Sequence, residues 1–233
     1  MIAALVWKQW MEQRWALGLG CFMLVGFTAI ALQARVVEDA IVLQAVLMLG
    51  VLGLPVLVAM GLVAPERAAG TLATVQMLPA SPTLVYFIKS VMGALVVAVP
   101  LLLSAQVGLL IAGDRELPRE HILALFHNAL PVAIMLMVWT TTLAIRQPSE
   151  ARVGVIGLAV VIAAAILSVA LARVFGVAWH WTHHLVPARL VALHADGTWN
   201  LTLHGYSIAQ LAIAGVVWAI GAWQFRQPAR TRT

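Results

Sequence analysis

Charged residues and cysteine are scarce in this chain of 233 residues, and each scarcity excludes a class of protein. Charged residues make up 10% of the sequence and hydrophobic residues 63%, whereas a soluble domain is about one quarter charged. Because Cys21 is the only cysteine, no intramolecular disulfide can form. The G-x-x-x-x-G-K-[ST] phosphate loop is also missing, so the chain cannot hydrolyse ATP by the P-loop mechanism. We therefore expect no catalytic residue and no enzymatic activity.

Six charge-free apolar runs predict an all-α integral membrane protein with six transmembrane helices. Each run reaches the ~20 residues that a helix needs to cross the hydrocarbon core. The runs are Trp15–Ala34, Ala40–Pro65, Ser90–Gly113, His121–Ile145, Val153–Ala172 and Thr198–Phe225. They hold no Asp or Glu, which disfavours proton-coupled carriers and intramembrane enzymes. Almost nothing remains for a soluble domain, so residues 1–233 form one membrane domain.

The distribution of basic residues predicts that both termini are cytoplasmic. With six spans, this topology places nine Lys and Arg residues on the inner side and five on the outer side, as the positive-inside rule requires. The formal charge of +5 comes from residues dispersed over the span ends. We therefore expect a lipid bilayer, and no nucleic acid, as the partner of these charges.

Two segments outside the central spans have the composition of a membrane interface. Residues 1–14 predict an interfacial helix that leads into the first span, with an apolar face and a polar face. Residues 174–205 are too polar to span and rich in tryptophan and histidine, which predicts an outer re-entrant hairpin before the last span. The N-terminal apolar face comprises Val6, Trp7, Trp10 and Met11, and the polar face Lys8, Gln9, Glu12 and Gln13.

Polar residues within or beside the predicted spans are the candidates for a ligand site. His180, His183 and His184 could supply metal ligands, but no cysteine or carboxylate pair completes a set, so we expect an interfacial girdle and no bound metal. Four further residues could line a substrate path, although hydrogen bonds between helices explain each of them more simply. These four are Gln44, Gln106, His127 and Asn128. Thr140, Thr141 and Thr142 are interpreted as residues that bond backbone carbonyls.

The segment 65–82 is the least apolar stretch between two spans. Pro65 suits the first turn of a helix, and Glu66 lies where the helix dipole favours a negative charge. Pro79 and Pro82 cannot continue a helix. The segment thus predicts a short amphipathic helix over about Pro65–Leu78, of the kind that lies on lipid or docks on a soluble partner.

The same segment carries a family resemblance. The pattern Glu66-Arg67-x-x-Gly70-Thr71-Leu72, with Leu78-Pro79-x-Ser81 and Lys89 after it, resembles the loop after the second span of ABC-2 type transporter permeases. In that family the loop forms a coupling helix that contacts the ATP-binding cassette subunit. The resemblance implies the permease subunit of an ATP-driven exporter in a bacterial or archaeal inner membrane. It also implies an ATPase contact made by Glu66, Arg67, Gly70, Thr71, Leu72 and Leu78.

The resemblance extends to the assembly. It implies a permease homodimer or heterodimer with two copies of the ATP-binding subunit, which would hold ATP and Mg²⁺ while this chain binds no cofactor. One alternative is a subunit like haem exporter protein B of cytochrome c maturation. That family has an Asp-Gly-Ser-Leu-Glu-like loop where this chain has Ala69-Gly70-Thr71-Leu72-Ala73, which argues against it. A second alternative is a membrane scaffold or assembly factor that transports nothing.

Overall fold

Helices make up almost all of the chain that the structure describes, and these residues contain no strand. The structure is a computed structural model that describes residues 2–34, 42–43, 45–46, 49–63, 66, 80–112, 119–147, 149–175 and 204–227. The α-helices are α1 (Ile2–Cys21), α2 (Phe27–Ala34), α3 (Leu54–Leu62), α4 (Pro82–Ala112), α5 (Arg119–Ala144), α6 (Glu150–Phe175) and α7 (His204–Arg226). A π-helical segment, Phe22–Gly26, joins α1 to α2, and another, Leu49–Gly53, precedes α3. The predicted all-α fold class is confirmed for these residues.

Two of the described helices are long and apolar enough to cross a membrane, by length and composition. One is the continuous helix Ile2–Ala34, and the other covers Pro82–Ile111. The stretches Leu49–Leu62 and Ala129–Ala144 are apolar but shorter. The prediction of membrane association thus has support from two helices, while the count of six spans stays a prediction.

Serine caps and prolines mark where three of the helices begin. The Leu84 N–H donates to Ser81 Oγ at 3.2 Å, and Pro82 occupies the first helical position, where no N–H is needed. The Arg152 N–H donates to Ser149 Oγ at 3.5 Å, so Ser149 caps α6. Pro55 is the second residue of α3, which follows the π-helical segment Leu49–Gly53. The first turn of a helix accommodates proline because no N–H is needed there for the helical ladder.

The helices α4 and α5 form the centre of the bundle. The first packs against α1, α2, α3, α5 and α7, and the second also packs against α3, α6 and α7. Their shared core contains Val58, Val97, Leu101, Ala133 and Met137. A displacement of α4 would therefore change its packing contacts with five neighbouring helices.

Several large apolar side chains are exposed on the described helices, while a smaller set of polar and charged residues is buried within a mostly apolar core. Trp15 and Phe22 are each 76% exposed, and Leu110 is 78% exposed. The buried polar residues are Gln9, Gln13, Thr28, Glu66, Lys89, Ser90, Ser104, Thr140, Thr141, Thr142 and Gln210. Large apolar side chains at the surface together with polar ones inside indicate surroundings other than water.

Candidate functional site: a buried charge cluster

A buried charge cluster joins α1, α4 and the segment that follows α3. Glu66 Oε1 accepts hydrogen bonds from Lys8 Nζ at 2.8 Å and from Lys89 Nζ at 3.1 Å. Glu66 is 7% exposed and Lys89 is 3% exposed, whereas 49% of the Lys8 side chain is exposed. Lysine and glutamate are almost never fully buried unless they are paired. One carboxylate therefore holds two helices that are far apart in sequence.

The ammonium group of Lys89 has an acceptor for each of its three protons. In addition to Glu66, it donates to Gln9 Oε1 at 3.1 Å and to the Leu62 carbonyl oxygen at 2.8 Å. Leu62 is the last residue of α3, where a carbonyl has no partner within its own helix. Lys89 thus satisfies the end of α3, binds α1 and neutralises Glu66 at the same time.

Residues four apart on α1 bring its polar face to this cluster. Lys8 pairs with Glu12 at 3.4 Å, as the helical repeat allows. Gln9 and Gln13 are buried and lie one turn apart on the side that packs against the bundle. Since α1 runs from Ile2 to Cys21 without interruption, the predicted interfacial helix of residues 1–14 and the first span form one helix. Its apolar face is exposed, namely Val6, Trp7, Trp10 and Met11.

A small cleft opens beside the cluster. Its walls combine the charged and amide groups of the cluster with apolar side chains of α1 and α4. The lining residues are Leu5, Lys8, Gln9, Glu66, Val85, Ile88 and Lys89. Three of these side chains are charged and one is an amide.

A second polar junction connects α7 with α4 and α5. Thr142 Oγ1 donates to the Val217 carbonyl at 3.3 Å and lies 3.4 Å from the Tyr86 hydroxyl. Trp218 Nε1 donates to Ser90 Oγ at 3.0 Å. Thr142 therefore bonds a backbone carbonyl as interpreted from the sequence, but the carbonyl belongs to a different helix. These hydrogen bonds fix the position of α7 relative to α4 and α5.

The predicted ATPase-contact residues fall mostly outside the described part of the chain. Glu66 is described, and its carboxylate turns inward onto Lys8 and Lys89. The others, Arg67, Gly70, Thr71, Leu72 and Leu78, lie outside the described residues, as does most of the predicted coupling helix 65–82.

The predicted substrate path falls only in part on the described residues and stays a prediction. Gln106 is exposed on α4, and His127 and Asn128 belong to α5. Gln44, His180, His183 and His184 lie outside the described residues, as do residues 176–203 of the predicted re-entrant hairpin. Among the residues that are described, no group of three or more His, Cys, Asp or Glu side chains could hold a metal ion.

Sequence reasoning noticed Glu66 and Lys89 but did not pair them, and it placed Lys8 on a lipid-facing helix. The sequence did contain a usable sign. Lys8 and Lys89 are the only lysines of the chain, each lies beside a long apolar run, and a charge at such a position needs a partner of opposite sign. Glu66 lies between the second and third apolar runs and is the acidic residue closest to Lys89 in sequence.

The comparisons with known proteins leave the family of this chain open. No protein-family model matches the sequence, and no curated protein matches it at a significant level. The features of the chain that bear on function are the charge cluster, the buried polar residues and the resemblance in residues 66–89.

Proposed function

We propose that this chain is the permease subunit of an ATP-driven exporter of the ABC-2 type. The observation that carries the proposal is the contact of Lys89 with Glu66 at 3.1 Å. These residues stand at the two ends of the pattern that resembles the coupling segment of that family. Their contact supports the idea that the segment acts on the membrane helices.

The surroundings that the proposal requires are a lipid bilayer. Exposed tryptophan, phenylalanine and leucine side chains on α1, α2 and α4 suit hydrocarbon, and buried serine, threonine and glutamine side chains can bond between helices there. In the proposed topology the chain is a multi-pass protein of a bacterial or archaeal inner membrane with cytoplasmic termini. Six spans, a dimer of permeases and two ATPase subunits belong to the same proposal.

In the proposed cycle, closure of the ATPase subunits displaces the coupling segment 65–82. Glu66 transmits the displacement to α1 through Lys8 and to α4 through Lys89. Because α4 packs against α5 and α7, its movement alters the contacts between the spans and so the path of the substrate. ATP and Mg²⁺ would be held by the partner subunit, and this chain would supply the path and the mechanical connection.

The proposal is tested by purification and reconstitution. A tagged chain, expressed with the other genes of its own operon, is expected to co-purify with an ATP-binding subunit whose ATPase activity rises on reconstitution. Glu66→Gln is expected to insert and bind that subunit but to lose the stimulation. Glu12→Gln is the matched control, because Glu12 also pairs with Lys8 but 36% of its side chain is exposed.

Two outcomes would contradict the proposal. If no ATPase associates with the chain under conditions that preserve the complex, a scaffold or assembly factor is favoured. If Glu66→Gln and Glu12→Gln retain equal stimulation, the charge cluster has no part in coupling. Haem bound to the purified complex would favour a haem exporter B-like subunit instead.

A further inference from the structure

The glutamines of α1 contain polar groups that the described residues leave without a partner. Gln9 is 3% exposed, and while its Oε1 accepts from Lys89, its Nε2 has no acceptor within the described part of the chain. Gln13, one turn further on, is 2% exposed, and its Oε1 has no donor there. Buried amide groups that stay unbonded oppose folding, so native proteins pair nearly all of them with protein or water.

The cleft beside the charge cluster has the size and chemistry of a water site. Its free volume is about 10 Å³, close to the ~10–15 Å³ that one water position needs. A bound water also needs two to four polar partners. Gln9, Lys8 and Glu66 all line this cleft, and the half-exposed Lys8 forms its rim.

We propose that one ordered water binds in this cleft, accepts a hydrogen bond from Gln9 Nε2 and donates one to the Glu66 carboxylate. Gln13 does not line the cleft but points towards α3, with Nε2 3.3 Å from where a Cβ atom on Gly61 would lie. Its Oε1 has no donor among the described residues, so α1 carries a second buried amide group that they leave unbonded. The water site does not depend on the transport function.

Such a water gives the charge cluster a property that a dry ion pair lacks. Separating a buried lysine from its carboxylate leaves both charges poorly solvated. A water already bound to Glu66 solvates the carboxylate as Lys89 moves away. The Lys89 ammonium keeps its hydrogen bonds to the neutral oxygens of Gln9 and Leu62. The cluster can therefore open and close without fully exposing either charge to apolar surroundings.

The first test uses the unmodified full-length protein in lipid nanodiscs. Hydroxyl-radical footprinting in H₂¹⁸O oxidises side chains beside bound water even where they are buried. Ile88 lines the cleft and is 8% exposed, while Val138 in the apolar core is a matched control at 7%. We expect Ile88 to be labelled at least about tenfold faster than Val138, since ordered water is resident beside one and not the other.

A pair of substitutions then tests where the water is bound. Gln9→Met removes the amide donor and should lower the labelling of Ile88 to that of Val138. Gln210→Met, at a glutamine of α7 that is also 3% exposed, should leave the labelling of Ile88 unchanged. Equal labelling of Ile88 and Val138 in the unmodified protein would overturn the water site, and undiminished labelling in Gln9→Met would overturn its attachment to Gln9.

Discussion

The pairing of Lys89 with Glu66 predicts that two destabilising substitutions are less harmful together than apart. Glu66→Gln keeps the shape of the side chain but removes the negative charge, and so leaves the Lys89 ammonium buried beside neutral acceptors. Lys89→Met in the same chain removes the stranded charge and fills its volume with a flexible apolar side chain. The double variant should therefore be more stable than Glu66→Gln alone.

The size of the effect follows from burial. Removing one partner of a buried ion pair costs ~3–5 kcal/mol. Because the hydrogen bonds from Lys89 to Gln9 and Leu62 survive, we expect the lower end, ~3 kcal/mol, for Glu66→Gln. In a chain of this length that loss lowers the thermal midpoint by ~6–12 °C. Lys8→Met serves as the control, because Lys8 is half exposed and its loss leaves Glu66 paired with Lys89, so we expect a cost of only ~0–1 kcal/mol.

The assay is thermal unfolding of the purified proteins in one detergent, followed by far-UV circular dichroism, with the four proteins of the cycle compared at one pH. We expect the midpoint of the double variant to lie between those of the wild type and Glu66→Gln. A midpoint equal to the sum of the two single losses would mean that the residues act independently. A loss in Lys8→Met as large as in Glu66→Gln would show that burial does not determine the cost.

Three further predictions concern the packing of α7 and the topology. Gly221→Ala should lower the thermal midpoint strongly, because a Cβ atom there would collide with the Tyr86 hydroxyl. Gly215→Ala is the control and should be neutral or stabilising, because no atom lies within 4 Å of the added Cβ. Equal midpoints would refute the close approach of Gly221 to Tyr86. Trp218→Phe loses the 3.0 Å bond to a serine hydroxyl and should cost ~1 kcal/mol, measured by the same unfolding assay, and no change would show that the bond is weak. A cysteine at Thr74 in a cysteine-free chain should resist an impermeant thiol reagent added to intact cells, and labelling from outside would reverse the proposed topology.

The positions of the helices were predictable because long apolar runs and helix-capping residues are local features. The predicted span 153–172 lies within α6 (Glu150–Phe175), and Ser149 caps that helix. The helix α4 begins at Pro82, eight residues before the predicted run at Ser90. The capping serine, Ser81, was visible in the sequence but had been assigned to the preceding segment.

The charge cluster could not be predicted because it depends on contacts between distant residues. Lys8 and Glu66 are 58 positions apart, and Gln9 and Lys89 are 80 positions apart. A helical wheel of residues 1–14 separates polar from apolar faces correctly but does not tell which face the bundle covers. The polar face meets α3 and α4, where Lys8 and Lys89 contact Glu66 and Lys89 also donates to the last carbonyl of α3.

Both lysines contact the same carboxylate, that of Glu66, so their reactivity with amine reagents reports whether the charge cluster is open or closed. Apart from the α-amino group, Lys8 and Lys89 are the only primary amines, and half of the Lys8 side chain is exposed while Lys89 is almost entirely covered. An amine-acylating reagent should therefore modify Lys8 readily and reach Lys89 when the cluster opens. The ratio of the two acylated peptides measures the frequency of opening in the unaltered protein, with Lys8 as the internal standard for reagent concentration.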